Sequence, residues 1–208
     1  MNQDHFSWLD HIVLASPNLQ EGMDYVKEKV GCDPTYGGKH LQFGTHNALL
    51  KIGNLTYLEI LAPDPENPKD HYRWMGVDLV DEPTITRFAI KTKSIDHHAR
   101  LLSNFSPNHG RQQEGRRQKE TGELLSWELT MPLPNPMVDS IPFLIDWQDS
   151  NHPAMNLENH CSIADFQLFS RKNGLQALFR QLDADFLVKY GEQRLMLSLN
   201  TPKGLVNI

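Results

Sequence analysis

Only two cysteines, Cys32 and Cys161, occur in 208 residues. They are too few and too far apart for a disulfide framework; one long-range bridge stays open, and two buried thiols are the simpler expectation. Long hydrophobic runs are also missing: no window reaches the roughly 18 apolar residues of a membrane span. The N-terminal MNQDHFSWLD lacks the basic-then-apolar order of a secretion signal. The expectation is a cytoplasmic protein without membrane contact. Basic runs are scarce, Arg116-Arg117 being the longest, and the formal net charge is −6. A nucleic-acid footprint is therefore not expected. GxGxxG, P-loop, HExxH, CxxC and GxSxG patterns are all absent, so dinucleotide, nucleotide-hydrolysis and serine-esterase chemistry lose their usual support, and no organic cofactor is expected.

What is present is ordinary globular composition, 39% apolar and 22% charged, with enough chain to bury a sizeable core. Leu9 to Ala15 (LDHIVLA) reads as a strand, and Ser16-Pro17 behind it offers a helix start. Leu19, Met23, Val26 and Val30 then form one apolar stripe, and Gly31 supplies the stop. Three β-type runs follow, Gly38–Phe43, His46–Ile52 and Leu55–Leu61, the last two joined by Gly53-Asn54. The unit is βαβββ.

After Pro63, Pro65 and Pro68 the same order restarts near Ile85: a strand at Thr86–Thr92, a helical stripe of Ile95, Ala99, Leu102 and Phe105, and strands at Gln112–Gln118, Leu124–Met131 and Ile141–Trp147. A third round begins after residue 160. The expected fold class is α+β, one continuous domain over 1–208 with βαβββ modules at about 8–65, 85–155 and 160–208.

Chemistry must then come from polar residues on apolar strands. Period-2 alternation puts His11 on the face of Val13 and Ala15, and Glu59 inside the apolar run TYLEIL. A buried carboxylate needs a partner, because an isolated buried charge costs several kcal/mol. That partner is either an Arg or backbone donor, or a metal ion shared with a neutral imidazole.

Leu9-Asp10-His11-Ile12-Val13, Gly37-Gly38-Lys39-His40, Gly44-Thr45-His46-Asn47 and Tyr57-Leu58-Glu59-Ile60, followed by Pro142-Phe143-Leu144-Ile145-Asp146-Trp147 and His152-Pro153, resemble the glyoxalase-like domain family of the vicinal oxygen chelate (glyoxalase/bleomycin resistance/dioxygenase) superfamily. The resemblance covers about residues 8–155. It implies paired modules whose curved mixed sheets enclose a cleft, with a divalent metal held in many members by first- and last-strand residues of each module. Carried over, it puts His11 at the first-strand ligand position and Glu59 at the fourth-strand position. In the second module Arg87 stands opposite His11 and is no ligand, since guanidinium only donates. Asp146 is a possible third ligand if its register points inward.

Among the other candidates, His152 could serve as ligand or general base. His46, Asn47, Arg87, Arg117 and Trp147 are candidate substrate contacts. His40 and His46 flank the Gly44-Thr45 turn, one of them expected to face solvent. Two functions compete. One is a lyase, isomerase or dioxygenase acting on vicinal oxygens with Zn, Mn, Fe or Ni, Glu59 being ligand or base. The other is a non-catalytic protein that sequesters a small organic ligand. A third module with an apolar sheet face (Ala164, Phe166, Leu168, Leu195, Leu197, Leu199) must be covered, by a homodimer partner or by packing back on its own chain.

Overall fold

The computed structural model describes residues 6–118 and 124–208, the side chains at 117, 118 and 124 excepted. Strand β1 (Leu9–Ala15) is buried at every position, as a central strand covered on both faces must be. Helix α1 (Leu19–Val30) follows. Its N-cap is Asn18, whose side-chain oxygen accepts the Glu21 amide at 2.8 Å. The helix thus begins two residues beyond the Ser16-Pro17 start read from the sequence, because Asn18 caps it and its amide also reaches the Glu21 carboxylate at 2.9 Å. Gly31 ends it at φ 81°. Strands β2 (Thr35–His40), β3 (Thr45–Gly53) and β4 (Thr56–Pro63) complete the first module.

The second module repeats the order with β5 (Thr84–Lys91), α2 (Ile95–Phe105), β6 (Gln112–Gln118), β7 (Leu124–Thr130) and β8 (Phe143–Asp146). All eight strands join in one sheet, ordered β2-β3-β4-β1-β5-β8-β7-β6. In each module the first strand pairs parallel with the fourth, and β1 and β5 pair antiparallel at the junction. The sheet curls until its outer strands β2 and β6 touch. The fold is that of the glyoxalase/bleomycin resistance/dioxygenase class, a curved mixed sheet around a cleft.

The third segment comprises β9 (Ser162–Ser170), α3 (Leu175–Gln181), β10 (Val188–Tyr190), β11 (Arg194–Thr201) and β12 (Gly204–Asn207). It repeats the βαβββ order along the chain but not the strand arrangement of the first two modules. Its sheet runs β10-β9-β11-β12, with the first strand between the second and third.

Its apolar face is covered within the chain. Phe166, Leu168, Leu195, Leu197 and Leu199 share one core with Ile12, Leu14, Phe88 and Ile90 from the outer face of the large sheet. Ala164 is exposed, and Ile163 takes its place against the core, because the pairing shifts register between Ser198 and Leu199. The covering need that suggested a homodimer is therefore met intramolecularly. Asp139 adds a polar tie between second and third segments: its carboxylate meets His109 Nε2 and Lys172 Nζ, each at 2.9 Å. Among the described residues no helix is long and apolar enough to cross a membrane.

Candidate functional site

The inner face of the curled sheet carries a second, smaller core that includes Val13, Leu61, Ala89, Trp127, Phe143 and Ile145. Beside it opens a narrow cleft walled by the aromatic rings of Tyr57, Trp74, Trp127, Phe143 and Trp147, with His11, Asn47 and Glu59 among its polar lining. Local sequence places these rings. Trp127 of β7 lies directly across from Gly115 of β6, and a Cβ at residue 115 would sit 2.3 Å from its indole. Only glycine lets that ring lie over the neighbouring strand. Trp74 is held by its indole N–H on the Thr45 hydroxyl at 3.2 Å and by Phe43 stacked at 3.8 Å between centroids.

At the polar end, His11 and Glu59 face each other with Nε2 and Oε2 3.5 Å apart. They occupy the inward pleat positions of β1 and β4, which pair in parallel. Asn47 Nδ2 donates to Glu59 Oε1 at 2.5 Å. Tyr57 stacks on the His11 imidazole at 4.7 Å and Phe143 meets it edge-on at 5.3 Å.

Behind His11 lies Asp10, fully buried. Its carboxylate is 2.7 Å from His11 Nδ1, accepts the Trp147 indole N–H at 3.0 Å, and meets His152 Nε2 at 3.2 Å. The backbone assigns the protons. His152 Nδ1 accepts from the Ala154 amide at 3.2 Å, so Nε2 is its donor toward Asp10. Burial alone would raise the Asp10 carboxyl; the hydrogen bonds of His11 and His152 reverse this and hold it well below the usual carboxylate range. An ionised Asp10 in turn requires Nδ1–H on His11, which leaves Nε2 bare toward Glu59. A carboxylate oxygen and an imidazole nitrogen thus stand 3.5 Å apart, within reach of a shared proton.

A divalent metal fits this set poorly. Tetrahedral metal sites take three or four protein ligands, and among the described residues no group of three or more His, Cys, Asp or Glu side chains is gathered to hold an ion. His11 and Glu59 supply two donors. On the neighbouring strands Ala89 pairs with His11, and Phe143 pairs with Ala89, so the row beside His11 in the second module is apolar.

Several candidates from the sequence lie elsewhere. Asp146 points away from the cleft, accepting Lys93 Nζ at 2.9 Å and the Gln148 amide at 2.8 Å, because Phe143 and Ile145 take the inward register of β8. His46 sits half-buried on the outer face of β3, where burial pulls its pKa down, while Asn47 turns inward. His40, not His46, lines the cleft, edge-on to Trp74 and Trp127. Neither histidine is fully exposed.

Arg87 is buried but reaches no cleft ligand. Its guanidinium donates to the carbonyls of Thr86, Leu133, Pro136 and Met137 at 2.7–2.8 Å, clamping the 131–139 connection. Burial lowers its pKa to about 10. The Arg117 side chain lies outside the described residues. Trp147 and His152 flank His11 through Asp10. Asp10 itself was not singled out by alternation, which sends it to the face opposite His11; the pairing with β5 shifts register between Leu9 and His11, and this bulge turns Asp10 inward.

A paired βαβββ protein with an aromatic, acid–base cleft is thus defined. The sequence profile of the glyoxalase-like domain family matches residues 9–183, and the chain belongs to that family. No functionally curated protein matches it by sequence. A hypothetical protein from Staphylococcus aureus shares the fold at 16% identity and TM-score 0.60, over 96% of this chain and 83% of its own. Methylmalonyl-CoA epimerase from Mycobacterium tuberculosis aligns at 17% identity and TM-score 0.43, over 67% of this chain and 87% of its own. A Streptomyces coelicolor methylmalonyl-CoA epimerase variant in complex with 2-nitronate-propionyl-CoA aligns at 18% and 0.45, over 70% and 97%.

Proposed function

We propose that this chain performs acid–base chemistry of the isomerase or lyase type on a small, uncharged organic compound, moving a proton at a carbon beside a carbonyl. The observation that carries the reading is the buried chain Glu59, His11, Asp10, His152 at the polar end of an aromatic cleft. Glu59 is the base. A proton it accepts passes to His11 Nε2, and the imidazolium is stabilised by Asp10, itself anchored by His152 and Trp147. Asn47 fixes the Glu59 carboxylate through its second oxygen.

The substrate class follows from the walls. No Lys or Arg is among the residues lining the cleft, and Arg87 is spent on carbonyls, so an anionic substrate lacks a cationic anchor there. Five aromatic rings on the cleft wall favour an apolar or aromatic body carrying one carbonyl. Dioxygenase chemistry would need a redox metal held by about three side chains, and among the described residues no such group of three is gathered.

The test is hydrogen–deuterium exchange at the α-carbon of neutral hydroxyketones and ketoesters, followed by proton NMR in deuterated water. Wild type should catalyse exchange, and Glu59→Gln should slow it by about 10²–10⁴-fold while still binding. A second reading, sequestration without turnover, is favoured by the apolar row Ala89 and Phe143 opposite His11. It prevails if ligands bind wild type and Glu59→Gln equally and neither protein exchanges.

A further inference from the structure

The two cysteines, 129 positions apart in sequence, come to the same end of the core. Cys32 follows the Gly31 cap of α1, and Cys161 directly precedes β9 of the third segment. Both thiols are free, and Cys32 is the neighbour that acts on the Cys161 thiol. Cys161 belongs to the core that joins the third segment to the large sheet, and Cys32 packs against that core. Their exposures differ: Cys161 is 4% exposed, while Cys32 is half-buried. Cys32 lines a surface groove of about 840 Å³ together with Asp33, Lys51, Glu158 and His160, the last adjacent in sequence to Cys161. Cys32 is thus the cysteine at the groove and Cys161 the one in the core.

We propose that Cys32 and Cys161 form a reversible disulfide clasp between the first and third segments, with a low-molecular-weight disulfide as oxidant. The Cys32 thiolate enters from the groove and attacks one sulfur of the oxidant, forming a mixed disulfide and releasing one thiolate. Cys161 then loses its proton and attacks the Cys32 sulfur, closing the protein disulfide and releasing the second thiolate. Two protein thiols are oxidised and one small disulfide is reduced to two thiols. The order follows from environment. Burial and the neighbouring Cys32 push the Cys161 thiol up to about 12, which suits it to the second, intramolecular step and not to first attack.

The clasp also touches the cleft. The segment from Trp147 to Cys161 carries His152, which holds Asp10. A covalent tie at Cys161 fixes the far end of that segment. This consequence rests on the proposed function; the clasp itself does not.

The full chain is incubated with oxidised glutathione, quenched with acid, and read by maleimide labelling, intact mass and peptide mapping. The expected result is loss of both labelled thiols, a mass lower by two hydrogens, a peptide joining residues 32 and 161, a raised melting temperature, and reversal by dithiothreitol. Cys161→Ser should accumulate the glutathione adduct on Cys32, and Cys32→Ser should leave Cys161 unmodified. Persistent labelling of both thiols, an unresolved adduct on wild type, or a disulfide between chains overturns the proposal. Should either serine variant fail to fold, the wild-type mass and peptide map still decide. Deuterium exchange measured on oxidised and reduced protein reports separately on the link to the cleft.

Discussion

Replacing Asp10 by Asn removes one charge from the centre of the site and keeps its shape. In wild type the buried carboxylate takes three hydrogen bonds, from His11, Trp147 and His152. Bonds to a charged group contribute about 1.5–3 kcal/mol each, and burying the carboxylate costs several kcal/mol against them. Asn has one acceptor oxygen. Directed at His152 and Trp147, it keeps two bonds in neutral form and presents its NH₂ to His11 Nδ1. His11 must then carry its proton on Nε2, against Glu59. The net loss expected at pH 7 is about 2–4 kcal/mol.

The pH dependence gives the sign. The folded Asp10 carboxyl is held below its ordinary value, so its contribution is complete above the unfolded pKa near 3.9 and is lost as pH falls below it. Urea unfolding of both proteins from pH 7 down to about pH 3 reads the difference directly, since other carboxylates such as Asp139, held near 2 despite its burial by His109 and Lys172, act equally in both. The gap should shrink on acidification. A gap that stays constant with pH, or no gap at pH 7, refutes the assigned network.

Arg87→Met removes four hydrogen bonds to backbone carbonyls, of which Pro136 and Met137 have no other backbone donor among the turn and loop bonds, and should destabilise the protein by about 3–5 kcal/mol in chemical denaturation; a loss under about 1 kcal/mol would mean the clamp on 131–139 is replaceable by water. Because the strands beside His11 add only Ala89 and Phe143 to the two donors, Mn²⁺ or Zn²⁺ should give no saturable thermal stabilisation. A saturable rise that Glu59→Gln abolishes would contradict this.

Paired modules were legible because β1 and β4 are short apolar runs in which His11 and Glu59 take inward alternation positions, and the α1 stripe ends on a glycine whose φ is positive. Period-2 alternation places His11 and Glu59 correctly, since the two strands pair in regular register. It fails where the register breaks. Asp10 sits at a bulge, so the residue that organises the site looks outward on paper. Asp146 failed for the reverse reason: one residue of register separates it from Ile145, and hydrophobic burial of Ile145 wins. Arg87 looked like a cleft cation, but its four carbonyl partners come from residues 86 and 133–137, a connection whose path no strand periodicity encodes. The third segment has the right elements in the right order, yet β9 lies between β10 and β11; strand order depends on which edge the chain returns to, which element spacing does not specify.

The proton chain can be read without a substrate. Nitrogen-15 NMR of the histidine rings in wild type and Glu59→Gln reports which nitrogen of His11 carries its proton. The account predicts Nδ1–H, bound to Asp10, in both proteins, and an Nε2 resonance that shifts when Glu59 becomes Gln. A His11 protonated on Nε2 with Nδ1 bare, and a spectrum indifferent to Glu59→Gln, would contradict it.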